Sequence, residues 1–584
     1  MPLIAFLIAV AGPFLLNEMV LPNTSHPNQI LAVFGWGLVL CAVPAQRASA
    51  GALRDLRPLL LALALLCVGC VLSMTTGGVP SSPGLAMLAM QLMAAGLAWH
   101  GASIATARPE AVLRPFAIAL VVAGVCGAVA GIVQIFAPVG VDNHFIAALV
   151  YPGRAVGNLG QPNHFADTQI WALAALVALM PSASAQDLRA RILRVGLYAI
   201  GVLLLLGVIL SASRIGMVGI AMLGAWGAFD RTLPKQTRIA LVAAVAVAVL
   251  LWWGVDLWSQ GDAKVADLGQ RPGSDISSSR FRVWSHALTM IAQQPLLGVG
   301  WGQYGFASVM TPMPDHTPRF DDNAHDLPLQ LAVELGVPMA LAILALLAGA
   351  LWLSIRNVRR LSGHSAIVAR CVLLMILYIG VHSLLEFPLW YTYFLFPTAW
   401  LWGLTLGWSA TPAPLPSAPV ATQAPSKPSS SMPPERAWRV GGLLMAASGA
   451  VAWLSYLTIV DAYRPNFQGA PMAERVGRAE ESPLFRNYAD RMVALQAQSP
   501  VEVLPYIERA VRANPNGGVI FVWMNALELN GEHDKARYVA ARLREFKLSG
   551  PAPFFAPCDD PAVIDKPFQC LPPARSMTWR DLLR

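Results

Sequence analysis

Charge is what this chain has little of. Only 13% of its 584 residues are Asp, Glu, Lys or Arg and 56% are hydrophobic, whereas a soluble globular domain carries about 25% charged residues. Apolar runs of roughly 16–25 residues, the length that crosses a bilayer as a helix, recur from the N-terminus to about residue 460. The composition therefore excludes a soluble globular protein. It predicts an all-α polytopic membrane protein with about 12–13 transmembrane helices.

The predicted spans follow the apolar runs. They lie near 2–16, 29–45, 58–75, 85–105, 116–137, 164–182, 195–211, 215–229, 239–255, 326–354, 367–385, 391–409 and 438–460. The first span has no Lys or Arg before it and no clear cleavage site after it. We therefore expect it to be retained rather than removed as a signal peptide.

Lys and Arg are absent from alternate short loops. Loops 17–28 and 76–84 contain none and loop 138–160 contains only Arg154, whereas the loops between them carry clusters of arginine. This asymmetry follows the positive-inside rule and predicts a cytoplasmic N-terminus, with the long loop and the C-terminal region outside. The net charge of +8 is thus explained by topology, and nucleic acid is not a predicted partner.

Metal-binding motifs are also missing. The chain has no H-E-x-x-H motif, no pair of C-x-x-C motifs and no D-x-D pair in a short external loop. We therefore predict no metal site and no cofactor. Most of the seven cysteines lie in or beside spans, but Cys558 and Cys570 lie in the predicted external tail, where an oxidising compartment permits a disulfide.

The chain divides into six predicted segments. They are an N-terminal transmembrane bundle (1–255), a large external loop (256–326), a second transmembrane bundle (327–409), a Pro/Ser-rich cytoplasmic linker (410–437), a last transmembrane helix (438–460) and an external helical domain (461–584). Apolar residues three and four apart in the last segment faintly resemble tetratricopeptide hairpins. That domain is either a cap on the membrane body or a docking surface for a protein partner.

The long loop concentrates polar residues where the chain re-enters the bilayer. Arg280, Arg282 and Trp284 lie on a predicted helix that Ser277–Ser279 are expected to cap. Arginine binds phosphate oxygens through a planar fork, and a helix N-terminus favours anions. Arg214 lies between two spans on the predicted outer side. It either binds a phosphate or reaches for lipid headgroups.

His325 precedes an apolar helix at the predicted membrane boundary. A neutral imidazole there can accept a proton from a hydroxyl group near neutral pH. The anionic neighbour Asp326 is expected to raise the pKa of His325.

Two further polar groups lie at predicted span ends. Asn158, Gln161, Asn163 and His164 suit sugar hydroxyls, although Gln-Pro-Asn can also be a turn that caps a helix. Glu386 and His382 end another span, where Glu386 is expected to pair with an arginine or to hold an acceptor. The aromatic residues that follow fit an interfacial belt.

These stretches together resemble a known family. SRFRVWSHA (279–287), PLLGVG (295–300) and HDLPLQLAVELG (325–336) resemble motifs of the O-antigen ligase/polymerase superfamily. GNLGQPNHFA (157–166) and HSLLEFPLWYTYFLFP (382–397) are similar to its bacterial protein O-oligosaccharyltransferases of the pilin-glycosylation type. The resemblance covers residues 130–410 strongly and the tail loosely.

The resemblance implies a GT-C-like, metal-independent, inverting glycosyltransferase in the bacterial inner membrane. Such an enzyme moves an oligosaccharide from undecaprenyl diphosphate to Ser or Thr of a periplasmic acceptor such as pilin. His325 would then be the essential histidine, and Arg214 and Arg280 would bind the diphosphate. The residues expected to bind substrate are Arg154, Asn158, Gln161, Asn163, His164, Arg282, Trp284, Gln330 and Glu386.

Three alternatives stay open. An O-antigen ligase that uses lipid A core as acceptor, or a Wzy-type polymerase, would share the loop motifs. A polytopic transporter or lipid flippase is disfavoured because it should place its ionisable residues in the middle of spans. A membrane scaffold whose tail recruits partners would tolerate alanine at His325.

Overall fold

The computed structural model describes residues 1–584 except 19, 77, 105–108, 139–140, 142–143, 182–186, 260–274, 314–320, 409–431, 465–468, 497–498, 500–501, 547–551 and 584. All regular secondary structure in the described residues is helical. The linker predicted at 410–437 and the start of the loop predicted at 256–326 lie largely outside the described residues.

Helices α1 to α9 form the first part of the chain. They are α1 (Pro2–Leu15, with a π-helical turn at Leu7–Ala11), α2 (His26–Ala42), α3 (Ala50–Thr75), α4 (Ser81–Ile104), α5 (Pro109–Phe136), α6 (Pro162–Leu179), α7 (Leu188–Leu210), α8 (Arg214–Phe229) and α9 (Lys235–Ser259).

The remaining helices follow in two groups. The middle group is α10 (Asp275–Gln293), α11 (Tyr304–Met310), α12 (Leu327–Leu335), α13 (Val337–Arg359), α14 (Gly363–His382), α15 (Thr392–Gly407) and α16 (Pro434–Tyr463). The C-terminal group is α17 (Met472–Glu480), α18 (Arg486–Gln496), α19 (Leu504–Ala513), α20 (Gly517–Leu529), α21 (His533–Glu545) and α22 (Ala556–Asp559).

The helices fit the predicted fold class. Eight helices in the described residues, α3, α4, α5, α7, α9, α13, α14 and α16, are long and apolar enough to cross a membrane. The other runs predicted as spans also fall on helices, namely α1, α2, α6, α8 and α15. The chain is an all-α polytopic membrane protein, as its composition predicts.

Helix α6 is the buried centre of the bundle. Every residue from His164 to Val177 is buried, and the helix packs against α5, α7, α8 and α14. Because neighbours surround the helix on all sides, no face of it is left to solvent, which explains why this segment shows no amphipathic stripe. Its N-terminal turn carries Asn163 and His164, so part of the predicted site stands on a helix that its neighbours hold rigidly.

A glycine turn separates α12 from α13. Gly336 has a φ of +78°, and Gly300 N donates a hydrogen bond to Glu334 O at 2.9 Å beside it. A Cβ on Gly336 would collide with Leu296 O, so the close approach of segment 295–300 to this turn requires glycine. The glycines of this segment therefore serve packing between a loop and a helix end.

The C-terminal helices pack in sequence order. Helix α18 contacts α19, α19 contacts α20, and α20 contacts α21. Helix α20 begins directly after Asn516 and ends before Asn530 and Gly531. Cys558 and Cys570 form a disulfide.

The tail and the long loop share one hydrophobic core. Met290 and Phe306 from the loop lie in the same buried cluster as Trp523 and Leu543 from the tail. The rings of Phe306 and Trp523 are 6.1 Å apart. The tail is therefore packed onto the loop.

The predicted cap of α10 is wrong. The helix begins at Asp275, so Ser277–Ser279 lie inside it, and their side chains lie outside the described part. Arg280 and Arg282 consequently stand beyond the first helical turn. The clamp expected from Arg280, Arg282 and the helix N-terminus stays a prediction.

Candidate active site

Glu386 is the centre of a polar cluster at one end of the bundle. Its Oε2 lies 2.8 Å from His325 Nδ1, and its Oε1 accepts a hydrogen bond from Arg280 Nη2 at 3.0 Å. The side chain of Glu386 is 14% exposed, that of His325 24% and that of Arg280 27%. The cluster is thus sheltered yet reachable, which suits a site that must exclude most water and still admit a substrate.

Backbone contacts tie together the two loops that carry Glu386 and His325. Glu386 lies four residues after His382, the last residue of α14, and its N–H donates to His382 O at 2.9 Å. Leu327 N donates to Ser383 O at 2.8 Å, which joins the start of α12 to the end of α14. The short distance between His325 and Glu386 is therefore set by the backbone as well as by their charges.

His325 adopts a backbone conformation that is uncommon for a residue other than glycine. Its φ is +52°, in the left-handed region, where non-glycine residues are strained and where functional residues are enriched. Neighbouring groups hold this turn. Ala324 N donates to Gln330 Oε1 at 2.7 Å, and the Asp326 carboxylate caps α12 by accepting from Leu329 N at 2.8 Å.

The two ring nitrogens of His325 have different surroundings. Nδ1 faces Glu386 at 2.8 Å, whereas Nε2 is 3.9 Å from the nearest Asp321 oxygen. A carboxylate on Nδ1 selects the tautomer with the proton on that atom and leaves Nε2 as the proton acceptor, which is the arrangement that activates hydroxyl nucleophiles.

The pKa of His325 is raised above its ordinary value. Burial alone would lower it, but the hydrogen bond and charge of Glu386 and the charge of Asp321 outweigh burial and the opposing charge of Arg280. The prediction that Asp326 raises this pKa is wrong, because the carboxylate of Asp326 is directed to the helix cap. The pKa of Glu386 is lowered, since His325 and Arg280 together outweigh the effect of its burial.

Asn163 links this cluster to a second set of polar groups. Its Nδ2 lies 3.4 Å from Glu386 Oε1, and its Oδ1 accepts a hydrogen bond from Ser213 Oγ at 2.8 Å. Ser213 also caps α8, whose first residue is Arg214. The turn before it contains Ala212 with a φ of +49°. His325 and Ala212 are the two non-glycine residues with positive φ in the described part of the chain, and both flank this site.

Arg154 and Arg214 add positive charge next to the cluster. Arg154 Nε donates to Ser211 O at 3.0 Å. The pKa of Arg154 is lowered, mainly because its side chain is buried. The like charge of Arg214 also lowers this pKa, whereas Tyr151 and Glu386 raise it. Arg214 is exposed and forms no ion pair with any residue that the structure describes. With Arg280, these groups form a cationic surface that Glu386 only partly neutralises.

Other residues predicted to bind substrate have structural contacts. Asn158 is 7% exposed, and its amide group bonds the backbone of Leu15, Phe145 and Ala147. Gln161 caps α6 by accepting from His164 N at 2.7 Å. Gln330 supports the His325 turn as described above. A substrate role for these residues stays a prediction.

His164, Arg282 and Trp284 lie at different depths. His164 is 4% exposed, and one of its ring nitrogens lies 3.3 Å from the Tyr393 hydroxyl. Arg282 and Trp284 are half-buried on α10. The indole Nε1 of Trp284 has no hydrogen-bond partner within the described residues. Among the described residues, no group of three or more His, Cys, Asp or Glu side chains could hold a metal ion.

Sequence reasoning missed one pair below the cluster. Asp167 Oδ2 lies 2.8 Å from His382 Nδ1, and both side chains are fully buried. Tyr378 donates a hydrogen bond to the other carboxylate oxygen of Asp167 at 2.8 Å. Asp167 follows Asn163 by one helical turn, and His382 precedes Glu386 by one turn. An acidic residue inside an apolar span is itself a signal of function or pairing and could have revealed this pair.

The fold and the cluster define a class of protein. It is a polytopic membrane protein that presents an oriented histidine and a surface of arginines at one end of its helices. Two family models match the chain. One describes O-antigen ligases and covers residues 199–344. The other describes the C-terminal part of a virulence factor membrane-bound polymerase and covers residues 368–547.

Two curated proteins of Acinetobacter baylyi are similar to this chain. A ComP-specific O-oligosaccharyltransferase is 26% identical over 277 residues, 45% of this chain and 46% of the relative. A general O-oligosaccharyltransferase is 32% identical over 125 residues, 21% of each chain. The chain thus spans less than half the length of these relatives. The predicted resemblance to the O-oligosaccharyltransferases of the O-antigen ligase superfamily is confirmed.

Proposed function

We propose that this protein transfers a preassembled oligosaccharide from undecaprenyl diphosphate to a Ser or Thr hydroxyl of an acceptor protein such as a pilin. The observation that carries the proposal is the contact of His325 with Glu386 beside three arginines. A hydroxyl acceptor needs a proton acceptor, and a diphosphate leaving group needs fixed positive charge. The named activity of both relatives supports the same reaction class.

The acceptor half of the reaction uses His325. The hydroxyl oxygen attacks the anomeric carbon of the first sugar, and its proton passes to Nε2 of the imidazole. Glu386 stabilises the resulting imidazolium through Nδ1–H, in the way a buried carboxylate does for other histidine bases. General base catalysis of this kind contributes about 10²–10⁴-fold to a rate.

The donor half of the reaction uses the arginines. The bond between the anomeric carbon and the phosphate oxygen breaks, and undecaprenyl diphosphate leaves with both bonding electrons. Arg214, Arg154 and Arg280 then face the charge that develops on the diphosphate. Groups fixed in place before the reaction stabilise such charge without reorganising, so we expect them to contribute more than the base.

The topology of the proposal follows the positive-inside pattern. The protein lies in the inner membrane with its N-terminus in the cytoplasm. Segment 256–326 is a periplasmic catalytic loop between the bundles 1–255 and 327–409. The linker 410–437 returns the chain to the helix predicted at 438–460, and the domain 461–584 is periplasmic, where a pilin-like acceptor is accessible.

An O-antigen ligase reaction is the second candidate. The family model over residues 199–344 carries that description, and the chemistry at the anomeric carbon would be the same. The acceptor would then be lipid A core rather than a protein. The two functions differ only in which molecule gains the glycan.

The test uses a glycosylation-null bacterium that is supplied with a lipid-linked glycan and a candidate pilin. The intact pilin is weighed by mass spectrometry with wild type, His325→Ala and the control His533→Ala, which changes an exposed tail histidine (58% exposed). We expect a glycan-sized mass gain with wild type and the control and none with His325→Ala at equal membrane abundance. An unmodified pilin together with glycan-bearing lipopolysaccharide would instead establish the ligase reaction.

A further inference from the structure

An apolar cavity of about 160 Å³ lies between α3, α4, α12, α13 and α15. Leu63, Leu331, Ile343, Leu347, Ala399 and Trp402 are among its lining residues. An apolar cavity of about 150 Å³ stays dry and takes up a benzene-sized hydrocarbon. This cavity therefore has the size and the chemistry to hold a short length of hydrocarbon chain.

Two residues that line the cavity, Leu327 and Trp390, contact the turn that carries Glu386. Leu327 N donates a hydrogen bond to Ser383 O at 2.8 Å, and Trp390 N donates to Phe387 O at 3.1 Å. The ring of Phe387 lies 5.1 Å from the ring of His325. Trp390 stacks on Trp301 with ring centroids 6.0 Å apart. A molecule that binds His325 and Glu386 at one end would thus place its next segment in the cavity.

The far end of the cavity lies well inside the spans. Leu59 lines it and is roughly 24 Å along α3 from that helix's end at Thr75, at about 1.5 Å per residue. The hydrocarbon core of a bilayer is about 30 Å thick. Met90 and Trp402 are only half-buried, so the lining reaches the lipid-facing surface of the bundle. The cavity runs from the polar cluster toward the middle of the membrane.

The lining favours an unsaturated chain. Thr398 Oγ1, Trp301 Nε1 and Trp402 Nε1 have no hydrogen-bond partner among the described residues, and all three side chains line the cavity. The double bonds of an isoprenoid are π systems that accept weak hydrogen bonds from such donors. A saturated acyl chain offers no acceptor to them.

We infer that this cavity binds the isoprene units nearest the diphosphate of the lipid-linked donor. The inference rests on the proposed function, since it assigns a site to the lipid part of the same substrate. Binding there fixes the position of the anomeric carbon relative to His325. The protein would then recognise its donor by the lipid as well as by the diphosphate.

The test compares two donors that carry the same glycan, one on undecaprenyl diphosphate and one on farnesyl diphosphate. Ala399→Phe fills the cavity, because Ala399 is 6% exposed and lines it. The matched control is Ala64→Phe, an exposed position of α3 that does not line it. Leu347→Trp, at a half-buried lining position, replaces Ala399→Phe if that variant does not fold.

We expect Ala399→Phe to raise the KM about tenfold for both donors, through lost apolar contact, because farnesyl carries the same isoprene units nearest the diphosphate as undecaprenyl does. The control should keep its KM for both donors within about twofold. The kcat at saturating donor should be unchanged. A KM that is unchanged, or one that rises together with a fall in kcat, would refute the inference. No transfer by wild type from either donor would refute the proposed function instead.

A photoreactive undecaprenyl phosphate, with its reactive group on the first isoprene unit, provides a binding measurement that does not depend on transfer. In wild type we expect the label on peptides from α12 or α15. In Ala399→Phe we expect this labelling to be lost. If excess phosphatidylethanolamine vesicles remove the label as well as unlabelled undecaprenyl phosphate does, the cavity binds lipid chains generally and the inference is wrong.

Discussion

His325 and Glu386 are 61 residues apart in sequence, yet their Nδ1 and Oε2 atoms are 2.8 Å apart. The contact joins a strained turn before α12 to the loop after α14. A carboxylate in this position selects one imidazole tautomer and stabilises its protonated form. In the proposed reaction, removal of a proton at His325 depends on this pair.

Neutralising Glu386 should slow the reaction without removing the histidine. In Glu386→Gln the amide keeps the side-chain size but cannot stabilise an imidazolium, so we expect kcat to fall by about 10²–10⁴-fold. Transfer to a pilin substrate in purified membranes measures this loss. Glu481→Gln, at an exposed position of the tail, is the control and should match wild type. Equal activity of both variants would show that the pair is not used.

The pH dependence of transfer should reveal the same pair. The raised pKa of His325 means that its base form is present only at higher pH, so kcat/KM should fall on the acid side below that raised pKa. Glu386→Gln removes a group that raises the pKa, and its acid limb should move to lower pH. Arg280→Ala removes a charge that lowers the pKa, and its limb should move to higher pH.

The opposite shifts are measured from the pH dependence of kcat/KM between about pH 5 and 9, which includes the range in which a histidine titrates. If either residue had only a structural role, its substitution would lower kcat/KM at every pH and leave the fall on the acid side at the same pH. Limbs that move in the same direction in both variants would contradict the assignment of His325 as the titrating base.

Arg214 should contribute to donor binding and catalysis but not to folding. It is exposed and forms no ion pair within the described residues, so Arg214→Ala should leave membrane abundance and thermal stability unchanged. We expect kcat/KM to fall about 10²–10³-fold, as when one fixed electrostatic donor is removed. Arg214→Lys should recover part of the loss, because lysine keeps the charge without the planar fork. Arg436→Ala, exposed at the start of α16, is the control.

The tail should support the loop that carries His325. Arg542 is 2% exposed and donates to Val309 O at 3.0 Å and Thr311 O at 2.9 Å, at the end of α11. It also pairs with Glu545. Arg542→Ala would leave the two carbonyls without their donor, which costs about 1–3 kcal/mol for each buried group left unpaired. We expect a lower thermal unfolding midpoint and faster proteolysis of the loop.

Arg544→Ala is the matched control for this prediction. Arg544 is 46% exposed and pairs with Asp559, which is 71% exposed, and such a surface pair is worth about 0–1 kcal/mol. Equal thermal midpoints for Arg542→Ala and Arg544→Ala would contradict a supporting role of the tail.

Features encoded locally were predictable from the sequence. The predicted spans are helical because an apolar run of that length satisfies its backbone only as a helix in lipid. The span predicted at 326–354 differs, since the turn at Gly336 divides it into α12 and α13. His325 and Glu386 were identified because they interrupt apolar sequence next to span ends. Which arginine meets Glu386, and that Ser213 meets Asn163, depends on packing between distant helices. A single sequence does not encode such packing in any local pattern.

The wrong predictions have the same origin. Ser277–Ser279 have the composition of a cap, but α10 begins earlier, at Asp275. Asp326 is next to His325 in sequence, but its carboxylate turns to Leu329 N. Both predictions depend on where a helix begins, which the residue types alone left open. Helix α10 begins before the three serines, and α12 begins directly after Asp326, whose carboxylate therefore caps it.

The buried pair of Asp167 and His382 should position the active site from below. It joins α6 to α14, the two helices that present Asn163 and Glu386. Asp167→Asn removes the carboxylate that contacts His382 and accepts from Tyr378, which costs about 1–3 kcal/mol for buried groups left without a matched partner, and we expect lower stability together with reduced kcat. Tyr378→Phe removes one hydrogen bond to the same carboxylate and should cost only about 1 kcal/mol.

A double variant separates the pair from its members. Asp167→Asn combined with His382→Gln replaces two buried ionisable groups by amides that can bond each other, so its stability should exceed that of Asp167→Asn alone. The coupling energy between Asp167 and His382 should then lie in the range of about 0.5–3 kcal/mol found for residues in contact. Thermal unfolding of the four proteins in detergent completes the cycle. Strictly additive effects would mean that the two side chains do not act together, and the positioning role of the pair would be lost.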